Sequence, residues 1–223
     1  MKIIELFGVP GAGKTVATVY LYRKFEKLGY KCCLLRENEY EDLVSLNRRK
    51  YILKIFKCRN WLLIIKLLFL SVFYKGKKYY LGNTRNKLKI LFRQLMYLEI
   101  YKDKNLEKEY DVLISDQGLV QEITGFLLES KQRVPVLVKF LDIVKSTSCD
   151  MHYVYVNKPI DVVKENIHKR NRKLSEMDFF DEKTLNQYLT DYDKKLTQTY
   201  DNFNKKYNFI KLDDYIKREC LDD

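Results

Sequence analysis

Residues Gly8-Val9-Pro10-Gly11-Ala12-Gly13-Lys14-Thr15 match the pattern G-x-x-x-x-G-K-[ST] at every fixed position. These residue types at this spacing suit the wrapping of a polyphosphate. Backbone N–H groups must approach the phosphate oxygens closely, and Gly8, Gly11 and Gly13 allow the chain to do so. Lys14, expected on a surface loop, brings a point charge to the β and γ phosphates, and the Thr15 hydroxyl is the expected protein ligand of Mg²⁺. With glycine near 7% of residues, the motif arises by chance in roughly one chain of this length in a hundred.

The flanks supply the context the motif needs. Residues 2–7 form an apolar run of strand length directly before the loop, and residues 16–22 continue after it without Pro or Gly. A helix opening at the loop adds its N-terminal amides and dipole to the anion site. The expected nucleotide-binding surface is therefore Gly8, Gly11, Ala12, Gly13, Lys14 and Thr15, together with Val16 at the start of that helix.

A second chemical signal is Asp116. Residues 110–115 read as a buried strand, and the acid stands at its C-terminal end, where phosphate-loop proteins keep a carboxylate near the metal. Asp116 is thus a candidate Mg²⁺-linked acid, directly or through water, and equally an N-cap for a helix over 119–130. Arg36 and Glu37 follow another short strand, 31–35, and charges at that end of an open parallel sheet face the ligand crevice. The cations Lys169, Arg170, Arg172 and Lys173 follow a strand and a helix on the same side, so either a solvated face or closure over a triphosphate fits them.

The elements that must position these residues alternate. Strands are expected at 2–7, 31–35, 110–115, 150–156 and 207–212, and helices after the loop to residue 28, over 119–130, from 160 to about 169 and over 185–203. Gly29 suits the left-handed position that ends the first helix. Residues 41–108 read as helix nearly throughout, with breaks near 75–76 and 82–83. The fold class that follows is α/β: a five-stranded parallel sheet with helices on both faces, the phosphate-loop strand near its centre, and a helical insertion over 41–108 between the second and third strands. All 223 residues fit one such domain, with a lid region near 160–180.

Composition sets further bounds. With 46% hydrophobic and 32% charged residues the chain is a folded protein and not a disordered one. The apolar start runs into the phosphate loop, so no cleavable leader is expected. Five cysteines without C-x-x-C spacing, and only His152 and His168, give no zinc motif and point to reduced thiols in a cytoplasm. The net charge of +12 calls for acidic partners, with positive residues concentrated at 48–89. No basic-and-aromatic pattern of an RNA-binding sheet is present, which disfavours nucleic acid.

The most apolar stretch, 61–74, would rise only about 21 Å as a helix, against a hydrocarbon core of roughly 30 Å. It also carries Lys66, so a spanning helix is disfavoured. Burial against the sheet, a homodimer interface and peripheral docking on an anionic membrane surface remain open, the last because Lys54, Lys57, Arg59, Lys75, Lys77 and Lys78 flank the run.

Taken together, the landmarks resemble those of the thymidylate kinase and deoxynucleoside kinase family. They are the loop from Gly8 to Thr15, Arg36-Glu37 after the second strand, Asp116-Gln117-Gly118 after the third, and Pro159 through Arg172 as a lid helix ending in R-x-R. The resemblance implies that Lys14 and Thr15 hold ATP and Mg²⁺ as substrate and cofactor. It implies further that Glu37 or Asp116 handles the acceptor hydroxyl or the metal shell, and that Arg170 and Arg172 neutralise the transferring phosphoryl group. Arg36 and Gln117 would face the acceptor.

The chain departs from the family at Asn38, where thymidylate kinases have Pro, at Gln117, where Arg follows the acid, and at Asn166, often Arg. Gln117 can hydrogen-bond a neutral acceptor but cannot neutralise a phosphate, which weakens thymidylate as the substrate and leaves nucleosides, sugars or lipid-linked saccharides open within an overall expectation of a nucleoside, nucleotide or saccharide acceptor. The expectation is a Mg·ATP-dependent phosphotransferase. A regulatory ATPase or switch docking through residues 48–89 is the alternative, although residues 157–161 carry the types of a guanine-recognition N-K-x-D motif with one position too many.

Overall fold

The computed structural model describes residues 1–35, 43–46, 49–55, 84–129, 135–145, 149–170 and 176–219. The expectations for Arg36, Glu37, Arg172 and the 61–74 run lie outside the described residues.

Five strands pair in one parallel sheet: β1 (Lys2–Phe7), β2 (Cys32–Leu34), β3 (Val112–Ser115), β4 (Asp150–Tyr155) and β5 (Phe209–Lys211). Their order is β2-β3-β1-β4-β5, which puts the strand feeding the phosphate loop at the centre. A central parallel strand is covered on both faces, and Ile3 through Phe7 are accordingly all buried. This is the α/β fold of phosphate-loop proteins that the alternation of elements predicts.

Side-chain alternation assigns the helices to faces. On one face Lys2 lies over the Phe25 ring of α1 (Lys14–Lys27), and His152 of β4 meets Tyr215 of the C-terminal helix Leu212–Arg218. On the other face Glu5 receives the hydroxyl of Tyr101, and Tyr155, which stacks on Phe7, reaches Asp193 of the long helix Glu182–Phe203. Residues in odd and even register thus bury against different layers.

Helix ends follow from local chemistry. α1 stops where Gly29 takes φ 87°, and the Gly29 and Tyr30 amides donate back to the Glu26 and Phe25 carbonyls in a Schellman closure. Between β2 and β3 lie α2 (Arg49–Ile55), α3 (Thr84–Tyr101) and α4 (Lys104–Glu109). Helix α3 begins directly after the predicted break at 82–83. The helical reading missed the interruption after Tyr101, where Asp103 accepts the Asn105 amide and starts α4 as its N-cap. The other oxygen of Asp103 accepts from Tyr51 and Lys54 of α2, both at 2.7 Å, and so ties α2 to this junction.

The remaining helices are α5 (Leu119–Glu129), α6 (Pro135–Lys145), α7 (Ile160–Arg170), α8 (Glu182–Phe203) and α9 (Leu212–Arg218). Neither α6 nor α9 was expected. In α9, acids in the first turn and bases in the last complement the helix dipole, while Tyr215 is wholly buried. Among the described residues no helix is long and apolar enough to cross a membrane.

Candidate active site

The loop between β1 and α1 bends over the C-terminal edge of the sheet. Gly11 has φ 89°, and a side chain there would also strike Ile167 Cγ1 at 2.8 Å, because α7 packs directly behind the loop. Val163 and Ile167 are the buried residues of α7 that make this contact. From the same helix Asn166 Nδ2 donates to the Gly11 carbonyl at 3.0 Å. The lid-helix position noted as a departure therefore holds the loop's shape.

Helix α1 opens at Gly13 with no side-chain cap and no acid in its first turn. A helix start of this kind favours an incoming anion, and no carboxylate of its own first turn competes for it. Lys14, the first residue of α1, is 9% exposed and not on the surface as expected. The ammonium folds back onto the loop, donating to the Gly8 carbonyl at 2.8 Å and the Val9 carbonyl at 2.9 Å. Burial pushes Lys14 down to about 8; Asp116 opposes the fall and Arg170 adds to it. Two cations thus share one cleft, and their repulsion is relieved by an anion between them.

Opposite Lys14, Thr15 Oγ1 donates to Asp116 Oδ2 at 3.3 Å. Asp116 ends β3 as predicted and is 8% exposed. A hydroxyl beside a carboxylate is a hard oxygen donor set of the kind that would hold Mg²⁺. Pro10, Gly11, Gly13, Lys14, Thr15 and Val16 form one wall of a cleft of about 360 Å³, and Asp116, Gln117, Gln121, Asn166 and Arg170 form the rest. Val16 is 73% exposed there, whereas Ala12 is buried.

Arg170 reaches the cleft from the end of α7. One guanidinium nitrogen pairs with Asp178 of the short turn Glu176–Phe179 at 3.0 Å, and its buried Nε has no hydrogen-bond partner among the described residues. Lys169, its neighbour, pairs with Glu165 at the surface. The basic cluster therefore divides between cleft and solvent.

Two residues that sequence reasoning passed over belong to this region. Gln121 of α5 accepts the Gly8 amide at 3.0 Å and donates to the Tyr192 hydroxyl at 2.6 Å. Glu5 of β1 is fully buried, and burial pushes its carboxyl up to about 7, against hydrogen bonds from Tyr101 and the α5 backbone. An acid in the middle of an otherwise apolar strand was the available signal for Glu5. Nothing in the sequence marked Gln121.

No family model matches the sequence, and no curated protein matches it. Solved structures do. A deoxyadenosine kinase from M. mycoides, determined with the products dCMP and a flexible dCDP, aligns with a TM-score of 0.50 and 18% identity, over 94% of this chain and 88% of that one. The same enzyme with bound dATP gives a TM-score of 0.49 and 17% identity, over 99% and 100% of the two chains. Shikimate kinase from Acinetobacter baumannii gives 0.44 and 14%, over 91% and 79%. At 18% identity the first of these likenesses is one of fold: the chain shares the α/β architecture of that structure.

Proposed function

We propose that the protein transfers the γ-phosphoryl group of ATP, with Mg²⁺, to a hydroxyl or phosphate of a small acceptor. The observation that carries this reading is the convergence of Lys14 and Arg170 on one cleft that the Thr15–Asp116 pair also lines. Phosphoryl transfer asks a protein for position and charge more than for covalent chemistry, and the cleft offers both.

In this reading Lys14 leaves the Gly8 and Val9 carbonyls and turns to the β and γ phosphates. The α1 amides hold the same oxygens. Thr15 and Asp116 would hold the magnesium ion, which supplies charge neutralisation on the phosphates when bound. Arg170 exchanges part of its Asp178 contact for the charge that develops on the transferring group. Gln117, exposed on the turn after β3, faces the acceptor side and reads an uncharged group there. Asp116 is the acid available to an acceptor hydroxyl among the described residues, and Glu37 is its competitor for that role.

The direct test of the nucleotide half is calorimetric titration with Mg·ATP. One site per chain is expected, lost when Thr15→Val and Lys14→Met are combined. A protein that binds no Mg·ATP contradicts the proposal.

A further inference from the structure

Glu5 is a buried acid that the proposed transfer does not use, yet its contacts lead to both walls of the cleft. It lies on β1, the strand that feeds the phosphate loop, with no exposed surface. One carboxylate oxygen accepts the Tyr101 hydroxyl at 2.8 Å, and the other accepts the Val120 amide. The neighbouring Leu119 and Gln121 amides also favour its charged form. These are first-turn amides of α5, groups that a helix start leaves without intrahelical partners. The first turn of α5 is thus capped from the sheet.

The arrangement shapes its surroundings. A side chain at Gly118 would overlap the Glu5 carboxyl, so the turn Asp116-Gln117-Gly118 can lie against β1 only with glycine there. Gln121, next in the chain to the Val120 amide that Glu5 accepts, sends its own side chain to the Gly8 amide.

Resting on the kinase reading above, we propose that Glu5 is a positioning residue: its carboxylate seats the first turn of α5, and through Gln121 it sets the Gly8 peptide from which the phosphate loop springs. The titratable groups that face it are Tyr101 from α3 and Tyr153 from β4, both held well above their ordinary value by burial and by Glu5 itself, and hence neutral across the working range. Burial costs the ionised carboxyl more than its hydrogen bonds return, which is why it titrates near 7. A side chain kept for stability alone would serve better as a neutral amide, and a costly group retained beside a cleft is the mark of a stability–function trade.

The test is Glu5→Gln, which keeps the shape and removes the charge. Between pH 4.5 and about 7 folded wild-type protein keeps a proton on Glu5 that the unfolded chain has lost, so its stability falls as pH rises through that window. The variant lacks this slope, and at pH 8 its Tm is expected to equal or exceed that of wild type. Its single amide oxygen keeps the Val120 amide only as an ordinary bond, and its NH₂ must donate to the Tyr101 hydroxyl, so Mg·ATP should bind about fivefold more weakly. Hydrogen exchange should quicken in peptides covering Gly8 and Val120.

Gln121→Leu, with Glu5 intact, should reproduce the weaker Mg·ATP binding. Unchanged affinity in either variant, or a loss of affinity in Glu5→Gln matched by a loss of Tm at pH 8, overturns the inference. Wild-type protein that binds no Mg·ATP overturns the kinase reading, and exchange at Gly8 and Val120 then decides the inference by itself: unaltered exchange in Glu5→Gln overturns it.

Discussion

The Thr15 hydroxyl lies 3.3 Å from the Asp116 carboxylate, which joins the start of α1 to the end of β3 across the mouth of the cleft. Neither element alone would supply both oxygens of the proposed metal site. The parallel pairing of β1 with β3, in which Glu5 registers with Ser115, brings the two together.

From this pairing, Asp116→Asn should retain the fold and lose the metal-linked charge. Turnover is expected to fall at least about 100-fold, and the Mg²⁺ concentration for half-maximal rate to rise. A magnesium titration of initial rates checks both. An unaltered magnesium requirement would remove Asp116 from the metal shell.

Lys14 yields a prediction about protons. Between about pH 8 and 10.5 the unfolded chain keeps a proton that buried Lys14 has shed, so the nucleotide-free protein should gain stability as pH rises through that window, on the order of 3 kcal/mol at most. Lys14→Met should flatten that part of the curve. A polyphosphate against Lys14 restores its charge, so binding of Mg·ATP at pH 9 should take up close to one proton, read from calorimetry in buffers of different ionisation heat.

Arg170→Ala is expected to separate binding from rate. If the arginine acts on charge that develops during transfer, turnover drops about 100-fold while the Kd for Mg·ATP stays within about threefold. Equal losses in both would make Arg170 a ground-state binding residue.

Gly118→Ala tests the packing of the turn. Its new Cβ meets the buried Glu5 carboxyl, and the cost should be about 2 kcal/mol or more, seen as a lowered denaturation midpoint. A variant as stable as wild type would show that the turn relaxes freely.

Much of this site can be read from residue types. The phosphate loop and the acid at the end of β3 announce themselves because their chemistry requires particular side chains at fixed distances along the chain. What stayed hidden depends on distances across it. Glu5 looks like a blemish in an apolar strand until register and the start of α5 place the Val120 amide and the Tyr101 hydroxyl against it. Gln121 looks like a polar helix residue until the Gly8 amide is found against it. Asn166 could be recognised as a departure from a cationic position, but its bond to Gly11 needed the packing of α7 on the loop. Helix α9 was missed for a different reason: a short helix gains its stability from a buried contact such as Tyr215 on His152, which periodicity over seven residues does not reveal.

The central claim is phosphoryl transfer itself. Purified protein with Mg·ATP and a panel of nucleosides, nucleoside monophosphates, sugars and lipid-linked saccharides should yield, by mass spectrometry, a product 80 Da heavier than one acceptor, the mass of one added HPO₃ group (about 80 Da). That product should be absent with Lys14→Ala. A product formed at the wild-type rate by Lys14→Ala, or ATP hydrolysis with no phosphorylated acceptor in any class, would contradict the account.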